Sequence, residues 1–210
     1  MLLVLFGGSF DPVHSAHVAL VNGVSALLSP PQIHVLPCHI PPHKPGLHAS
    51  AAHRVAMLRL AFEQAPKVVI DEREVLSGKV SYSIDTVMAI REEVGAAASV
   101  CFLLGEDSWR NFSTWHRWQD ILQQVNILVA KRPGAETMPF DAALSRYAAK
   151  HSVPYDEIER HTHGKVAFLP LPENDVASTS VREGIKGGQP QHSDLPTPVA
   201  DYIHGHALYC

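Results

Sequence analysis

The chain has 210 residues, 46% of them hydrophobic and 18% charged, which suits one well-buried core and argues against extended disorder. Seventeen Lys and Arg against 21 Asp and Glu leave a formal charge of −4 at pH 7. That balance speaks against broad attraction to nucleic acid or an anionic membrane, although a local basic cluster can still hold a phosphate.

From the first residue, Met1 to Phe6 is an apolar run without a basic flank, far too short for a membrane span or signal core. It reads as a buried strand over Leu2 to Phe6 that breaks at Gly7-Gly8. Val18, Leu20, Val21, Val24, Leu27 and Leu28 then recur at helical spacing. A second strand is expected over Ile33 to Leu36, followed by a Pro- and His-rich loop from Pro37 to His48. The pattern continues with a helix over Arg54 to Ala65, a strand over Val68 to Ile70, and a helix over Ser83 to Val94 closed by Gly95. Next come a strand over Val100 to Leu104, a helix over Trp118 to Val125 and a strand over Ile127 to Val129. The pattern weakens between Lys131 and Lys165, with one helix expected around Phe140 to Lys150. A last strand over Val166 to Leu169, a short helix over Ser178 to Ile185 and a helix after Pro198 complete the reading.

Strands alternating with helices predict an α/β fold, a Rossmann-like, doubly wound parallel sheet with helices on both faces. No linker or internal repeat divides the chain, so residues 1–210 are expected to form a single domain. Ligands of such sheets sit beyond the carboxyl ends of the strands. That expectation gathers Gly7 to His17, Pro37 to Lys44, Gly105 to Asp107 and Arg132 on one rim.

The strongest local signal is the run Gly7-Gly8-Ser9-Phe10-Asp11-Pro12-Val13-His14-Ser15-Ala16-His17. Two glycines after a buried strand allow a sharp turn and a close ligand approach. His14 and His17, three apart, share a face at the start of a helix whose dipole and first amides favour phosphate. Two histidines three apart could otherwise be solvent-facing caps; the preceding Gly-Gly turn favours phosphate binding. Fourteen histidines is a high count, but they are scattered. His204 and His206 form a bare pair short of the three or four ligands of a zinc site, and no metal site is expected. Cys38, Cys101 and Cys210 form no C-x-x-C pair, so a reducing cytoplasm is the simplest home.

The run from Gly7 to His17 resembles the opening of bacterial nicotinate-nucleotide adenylyltransferases, members of the nucleotidyltransferase superfamily marked by H-x-G-H. Ala16 stands where that motif has glycine. Pro41-Pro42-His43-Lys44 resembles the family's P-P-H-[KR] loop and Ser81 to Thr86 its S-Y-T-x-x-T segment. Leu104 to Asp107 carries its G-x-D, Arg132-Pro133-Gly134 its R-P-G, and Ser178 to Arg182 its S-T-x-x-R, with Ala177 where a serine often precedes. Pro198 to Ile203 is similar to its closing P-x-V-x-x-Y-I.

The resemblance implies transfer of AMP from ATP to nicotinate mononucleotide, giving deamido-NAD and pyrophosphate, with magnesium carried by ATP. It implies ATP contacts at Gly7, Gly8, Ser9, Phe10, His14, His17, Gly105, Asp107, Ser178, Thr179 and Arg182. Mononucleotide contacts are implied at Asp11, His43, Lys44, Tyr82, Ser83, Trp115 and Arg132. His14, His17, Lys44 and Arg182 would carry the catalysis, and backbone amides near Tyr82 and Ser83 would meet the acidic ring substituent.

Residue chemistry agrees in kind. Lys44 is a mobile point charge in a Pro-stiffened loop, Asp107 can accept from ribose hydroxyls, and Arg182 follows hydroxyl residues that could grip pyrophosphate with it. Of three clustered tryptophans, which are usually core, Trp115 is favoured over Trp118 to stack on a pyridine ring. The attacking phosphate is already anionic, so positioning and charge stabilisation suffice, and no Ser-His-Asp order or nucleophilic cysteine supports a covalent route. Nicotinamide mononucleotide or phosphopantetheine as acceptor, cytidylyl transfer, and a non-catalytic nucleotide-binding module stay open, as does a homo-oligomer.

Overall fold

The computed structural model describes residues 1–42, 46–130, 141–171, 175–188 and 194–210. The strands are β1 (Leu2–Gly8), β2 (Gln32–Pro37), β3 (Val68–Ile70), β4 (Ser99–Gly105), β5 (Asn126–Ala130) and β6 (Val166–Leu169). They pair in parallel throughout, in the order β3-β2-β1-β4-β5-β6. This is the doubly wound order that reverses direction between β1 and β4, and the crevice at such a reversal is where ligands bind.

Strand alternation shows why both faces must be covered. On β1, Leu2, Val4 and Phe6 enter one core while Leu3 and Leu5 enter the other. The first core packs against α1 (Ser15–Leu28), α2 (Ala51–Ala61), α8 (Ser178–Lys186) and α9 (Thr197–Gly205), through side chains such as Val24, Leu58, Val181 and Val199. The second packs against α4 (Ser83–Val94), α5 (Glu106–Arg110), α6 (Trp118–Leu122) and α7 (Ala142–His151), through Val87, Trp109, Ile121 and Leu144. The expected sheet and its two helical layers are therefore present.

Some boundaries differ from the expected ones. Helix α2 starts at Ala51 rather than Arg54, because the Ser50 hydroxyl accepts from the His53 N–H and caps it early. Helix α7 starts at Ala142, after Asp141 caps it by accepting from the Ala143 N–H at 2.6 Å. Four short pieces had no counterpart in the expected pattern. They are α3 (Arg73–Ser77), α5, and the 3-10 turns at Phe112–Thr114 and Tyr155–Arg160.

Candidate functional site

Beyond the carboxyl ends of β1 and β4 lies a cleft with two lobes of about 560 and 520 Å³. Gly7, Gly8, Ser9, Gly105 and Asp107 line both lobes and form the wall they share. This wall exists because two neighbouring parallel strands end in glycine-containing turns at the point where the chain reverses its direction of winding.

The loop after β1 is shaped by aromatic packing. Phe10 is buried with a left-handed φ of 46°, a costly conformation for a residue with a side chain. It is held there edge-on to Phe6 and His17, with ring centres 5.4 and 5.0 Å away. A Cβ on Gly8 would lie 2.9 Å from the Phe10 ring, so only glycine lets the backbone pass so close. Phe10 thus acts from behind the wall, packed into the core.

In the first lobe, His14 is the N-cap of α1 and His17 its third residue. Their rings lie 3.7 Å apart, and the His14 N–H donates to His17 Nδ1 at 3.2 Å. With Nδ1 accepting, neutral His17 carries its proton on Nε2, a donor suited to an anion. The Ser15 amide, at the start of α1, donates to the Asp194 carbonyl at 2.8 Å. Ala16 lines the same lobe, as do Ser178, Thr179 and Arg182 from the start of α8. Arg182 donates to the Asp11 carbonyl at 2.6 Å and to the Thr179 hydroxyl at 3.3 Å, while the Ser178 hydroxyl donates to the Pro12 carbonyl at 3.0 Å. These bonds tie α8 to the loop after β1.

Asp11 borders the first lobe but spends its carboxylate inside the protein. It accepts from the His48 N–H at 2.7 Å, the Ala49 N–H at 3.0 Å and the Tyr209 hydroxyl at 2.8 Å. Burial pushes its pKa up, but these hydrogen bonds outweigh burial and hold it below the usual carboxylate value. Burial and the bond to Asp11 both push the Tyr209 phenol up, so it stays the donor. Asp11, for which the resemblance implied a mononucleotide contact, thus has its carboxylate engaged by the protein's own donors.

The second lobe is lined by Tyr82, Ser83, Trp115 and His116. Tyr82 and Ser83 form the N-terminal end of α4, where the positive end of the helix dipole lies. Trp115 is braced against Phe112 and Phe102, with ring centres 5.2 and 6.0 Å away, and lines the lobe. Trp109 is fully buried and stacked on Phe112, and Trp118 meets Phe112 edge-on at 6.2 Å. Of the three tryptophans, Trp115 is thus the one bordering the cleft, as expected. His43, Lys44 and Arg132 lie outside the described residues.

Three residues with site-building roles were not singled out from sequence. Arg54 is fully buried and donates to the carbonyls of Ser9 at 2.7 Å and Cys38 at 2.6 Å, joining the loops that follow β1 and β2. Glu74 accepts from the Thr86 hydroxyl at 2.6 Å beneath the second lobe; burial raises its pKa against the opposing hydrogen bonds. His48 borders the first lobe. An arginine in a helix and a glutamate in a five-residue helix give no periodic signal of burial, and only tertiary packing exposes their roles.

Comparison with known proteins bears on this geometry. A profile of cytidylyltransferase-like proteins matches residues 5–184. A Herminiimonas arsenicoxydans protein named "Probable nicotinate-nucleotide adenylyltransferase" is 39% identical over 99% of this chain and 96% of its own length. A Klebsiella pneumoniae protein of the same name is 35% identical over 100% of this chain and 97% of its own. The chain belongs to the nicotinate-nucleotide adenylyltransferases. It is therefore an enzyme, a nucleotidyltransferase of NAD biosynthesis that joins ATP and nicotinate mononucleotide into deamido-NAD.

The fold agrees with that membership. The nicotinic acid mononucleotide adenylyltransferase of Plasmodium falciparum, complexed with NaAD, superposes with a TM-score of 0.77 at 18% identity, covering 99% of this chain and 97% of its own. The same enzyme complexed with APC gives 0.75 at 17%, covering 99% and 96%. Within the family frame, the two-lobed cleft matches a reaction that must bring two nucleotides together end to end.

Proposed function

We infer that the two lobes divide the two substrates of this adenylyltransferase. The wall common to both lobes, Gly7 to Ser9 with Gly105 and Asp107, carries this reading. ATP occupies the lobe of His14, His17, Ser178, Thr179 and Arg182, with Asp107 accepting from ribose hydroxyls. Nicotinate mononucleotide occupies the other lobe, its ring on Trp115 and its carboxylate at the N-terminal end of α4 beside Tyr82 and Ser83. His43, Lys44 and Arg132 supply further positive or hydrogen-bonding contacts to the phosphates and the acceptor. The same positive helix end favours an anionic ring substituent over a carboxamide.

A 5′-phosphate oxygen of the mononucleotide attacks the α-phosphorus of ATP in line. The new O–Pα bond forms as the bond from Pα to the bridging oxygen breaks, and that oxygen leaves with the electron pair as pyrophosphate. No side chain must remove a proton, because the nucleophile is anionic at neutral pH. His17, Lys44 and Arg182 instead hold mutually repelling phosphates in line and offset the charge of the transition state. Magnesium enters as part of the substrate, on the ATP phosphates. Among the described residues no group of three or more His, Cys, Asp or Glu side chains is placed to hold a metal ion.

The test is pyrophosphate release with magnesium and ATP, offering nicotinate mononucleotide, nicotinamide mononucleotide and phosphopantetheine in turn. Preference for nicotinate mononucleotide is expected, with its KM raised when Trp115 is removed; preference for either other acceptor would overturn the assignment of the second lobe. Residues 1–210 act as one domain in this reading. A cytoplasmic location is proposed from the cysteine pattern, with no nucleic-acid or membrane partner. Among the described residues no helix is long and apolar enough to cross a membrane. Whether copies of the chain associate is answered by light scattering.

A further inference from the structure

His48 sits at the far end of the Pro- and His-rich loop, outside every motif that carried the family resemblance. Its side chain is 60% exposed, yet it lines the first lobe together with His14, His17 and Arg182. Its backbone N–H and its ring both meet one oxygen of Asp11, the N–H at 2.7 Å and Nδ1 at 3.3 Å from Oδ2. The other oxygen, Oδ1, is taken by the Ala49 N–H at 3.0 Å and the Tyr209 hydroxyl at 2.8 Å. Asp11 is itself buried and tied through its carbonyl to Arg182, so the acceptor facing Nδ1 is fixed in place.

A carboxylate against one imidazole nitrogen sets the other nitrogen's direction and task, as in the carboxylate–histidine pairs that orient metal ligands. Nδ1–H directed at Asp11 leaves Nε2 as the atom available to the lobe. When an anion arrives there, an imidazolium can donate from both nitrogens at once, to Asp11 on one side and to the anion on the other. Among the described residues, the charged or titratable groups that line the same lobe or bond to Asp11 are Asp11 itself, Tyr209, Asp107, Arg182 from α8, and His14 and His17 from the start of α1.

We propose that His48 is a further phosphate-binding residue of this site, contacting the triphosphate of the nucleotide through Nε2 while Asp11 orients its ring. The proposal rests on the assignment of ATP to the first lobe. It commits to the triphosphate rather than the acceptor's phosphate because His48 borders the lobe of Thr179 and Arg182.

Two amides separate a contact through Nε2 from a purely structural role. Glutamine at position 48 places its amide near the Nε2 position, whereas asparagine places it near Nδ1, against Asp11. ATP with magnesium, without acceptor, is titrated calorimetrically into wild type, His48→Ala, His48→Asn and His48→Gln. Loss of one charge-assisted hydrogen bond is expected to weaken ATP about tenfold in the alanine and asparagine variants. Glutamine should recover most of that loss. Unliganded melting temperatures should agree, because the backbone N–H to Asp11 remains in all four proteins.

Unchanged ATP affinity in His48→Ala would overturn the proposal and leave the assignment of the lobes standing. Better recovery by asparagine than by glutamine would also overturn it, by showing that the ring only braces Asp11. In steady-state turnover of the same variants, a rise confined to the KM for nicotinate mononucleotide would move the contact to the acceptor phosphate and overturn it too. Failure of wild type itself to bind ATP would sink the assignment of the first lobe along with the proposal.

Discussion

The two ends of the parallel sheet use the same kinds of side chain to opposite purpose. At the amino end, Arg91 donates to the carbonyls of Gly95, Ala98, Gln124 and Thr162. Nearby, Asn126 is fully buried; it donates to the His161 carbonyl at 2.7 Å and accepts from the Lys165 N–H at 3.0 Å. Polar groups there close off the strand entrances and one another. At the carboxyl end, Arg182, His14 and His17 border a cleft, and the scaffolding is delegated to Asp11 and Arg54 behind them. Polar groups at the amino end are bonded to backbone and hold the fold, while those bordering the shared cleft line the site proposed for substrate. The presence of an arginine or a histidine does not by itself distinguish the two.

That contrast can be broken most decisively at His17. His17→Ala should lower turnover by about two to three orders of magnitude, the scale of losing one preorganised transition-state donor. Its melting temperature should stay near wild type, and steady-state kinetics beside a thermal melt gives both numbers. Retained turnover would remove the carboxyl end's claim to the chemistry. The mirror experiment is Arg91→Leu, which strands several carbonyls. It should cost about 2–3 kcal/mol and lower the melting temperature by roughly 4–12 °C. The KM values should not move, and a changed KM for either substrate would break the division between the two ends.

A smaller effect sharpens the contrast between the lobes. Trp115→Ala should raise the KM for the mononucleotide about tenfold, for a stacking loss of about 1–1.5 kcal/mol, with the KM for ATP unchanged. The smallest effect is one of pH. The pKa of Asp11 is lowered in the folded protein, so its stabilising contribution is fully present above the unfolded value of about 3.9. It fades only as pH falls through the lower folded value. Asp11→Asn should therefore be less stable by about 1–2 kcal/mol at pH 7 and pH 5 alike. Urea melts should show that deficit narrowing only below about pH 4.

Much of this was legible before any coordinates. The sheet, its parallel sense and its two helical layers follow from apolar runs such as Leu2 to Phe6 alternating with helical spacing such as Val18 to Leu28. The Gly7-to-His17 run marked the first lobe, and Trp115 marked the second. Short helices such as Arg73–Ser77 and Glu106–Arg110 escaped because five residues span little more than one turn, too few to show a period. The scaffolding role of Asp11 escaped for a different reason. Its partners His48, Ala49 and Tyr209 lie up to 198 residues away, and no local pattern announces that they converge.

The wall of Gly7 to Ser9 and Gly105 belongs to both lobes at once, which has a consequence for inhibitor chemistry. On the proposed division of substrates, a single molecule carrying an adenosine end and a pyridine end would span the partition, and its second end would bind from an effective concentration set by the short tether. Two weak fragments, one per lobe, would gain affinity when joined without any new contact to the protein. On the same division, the joined product of the reaction has that outline and would be held by both lobes at once.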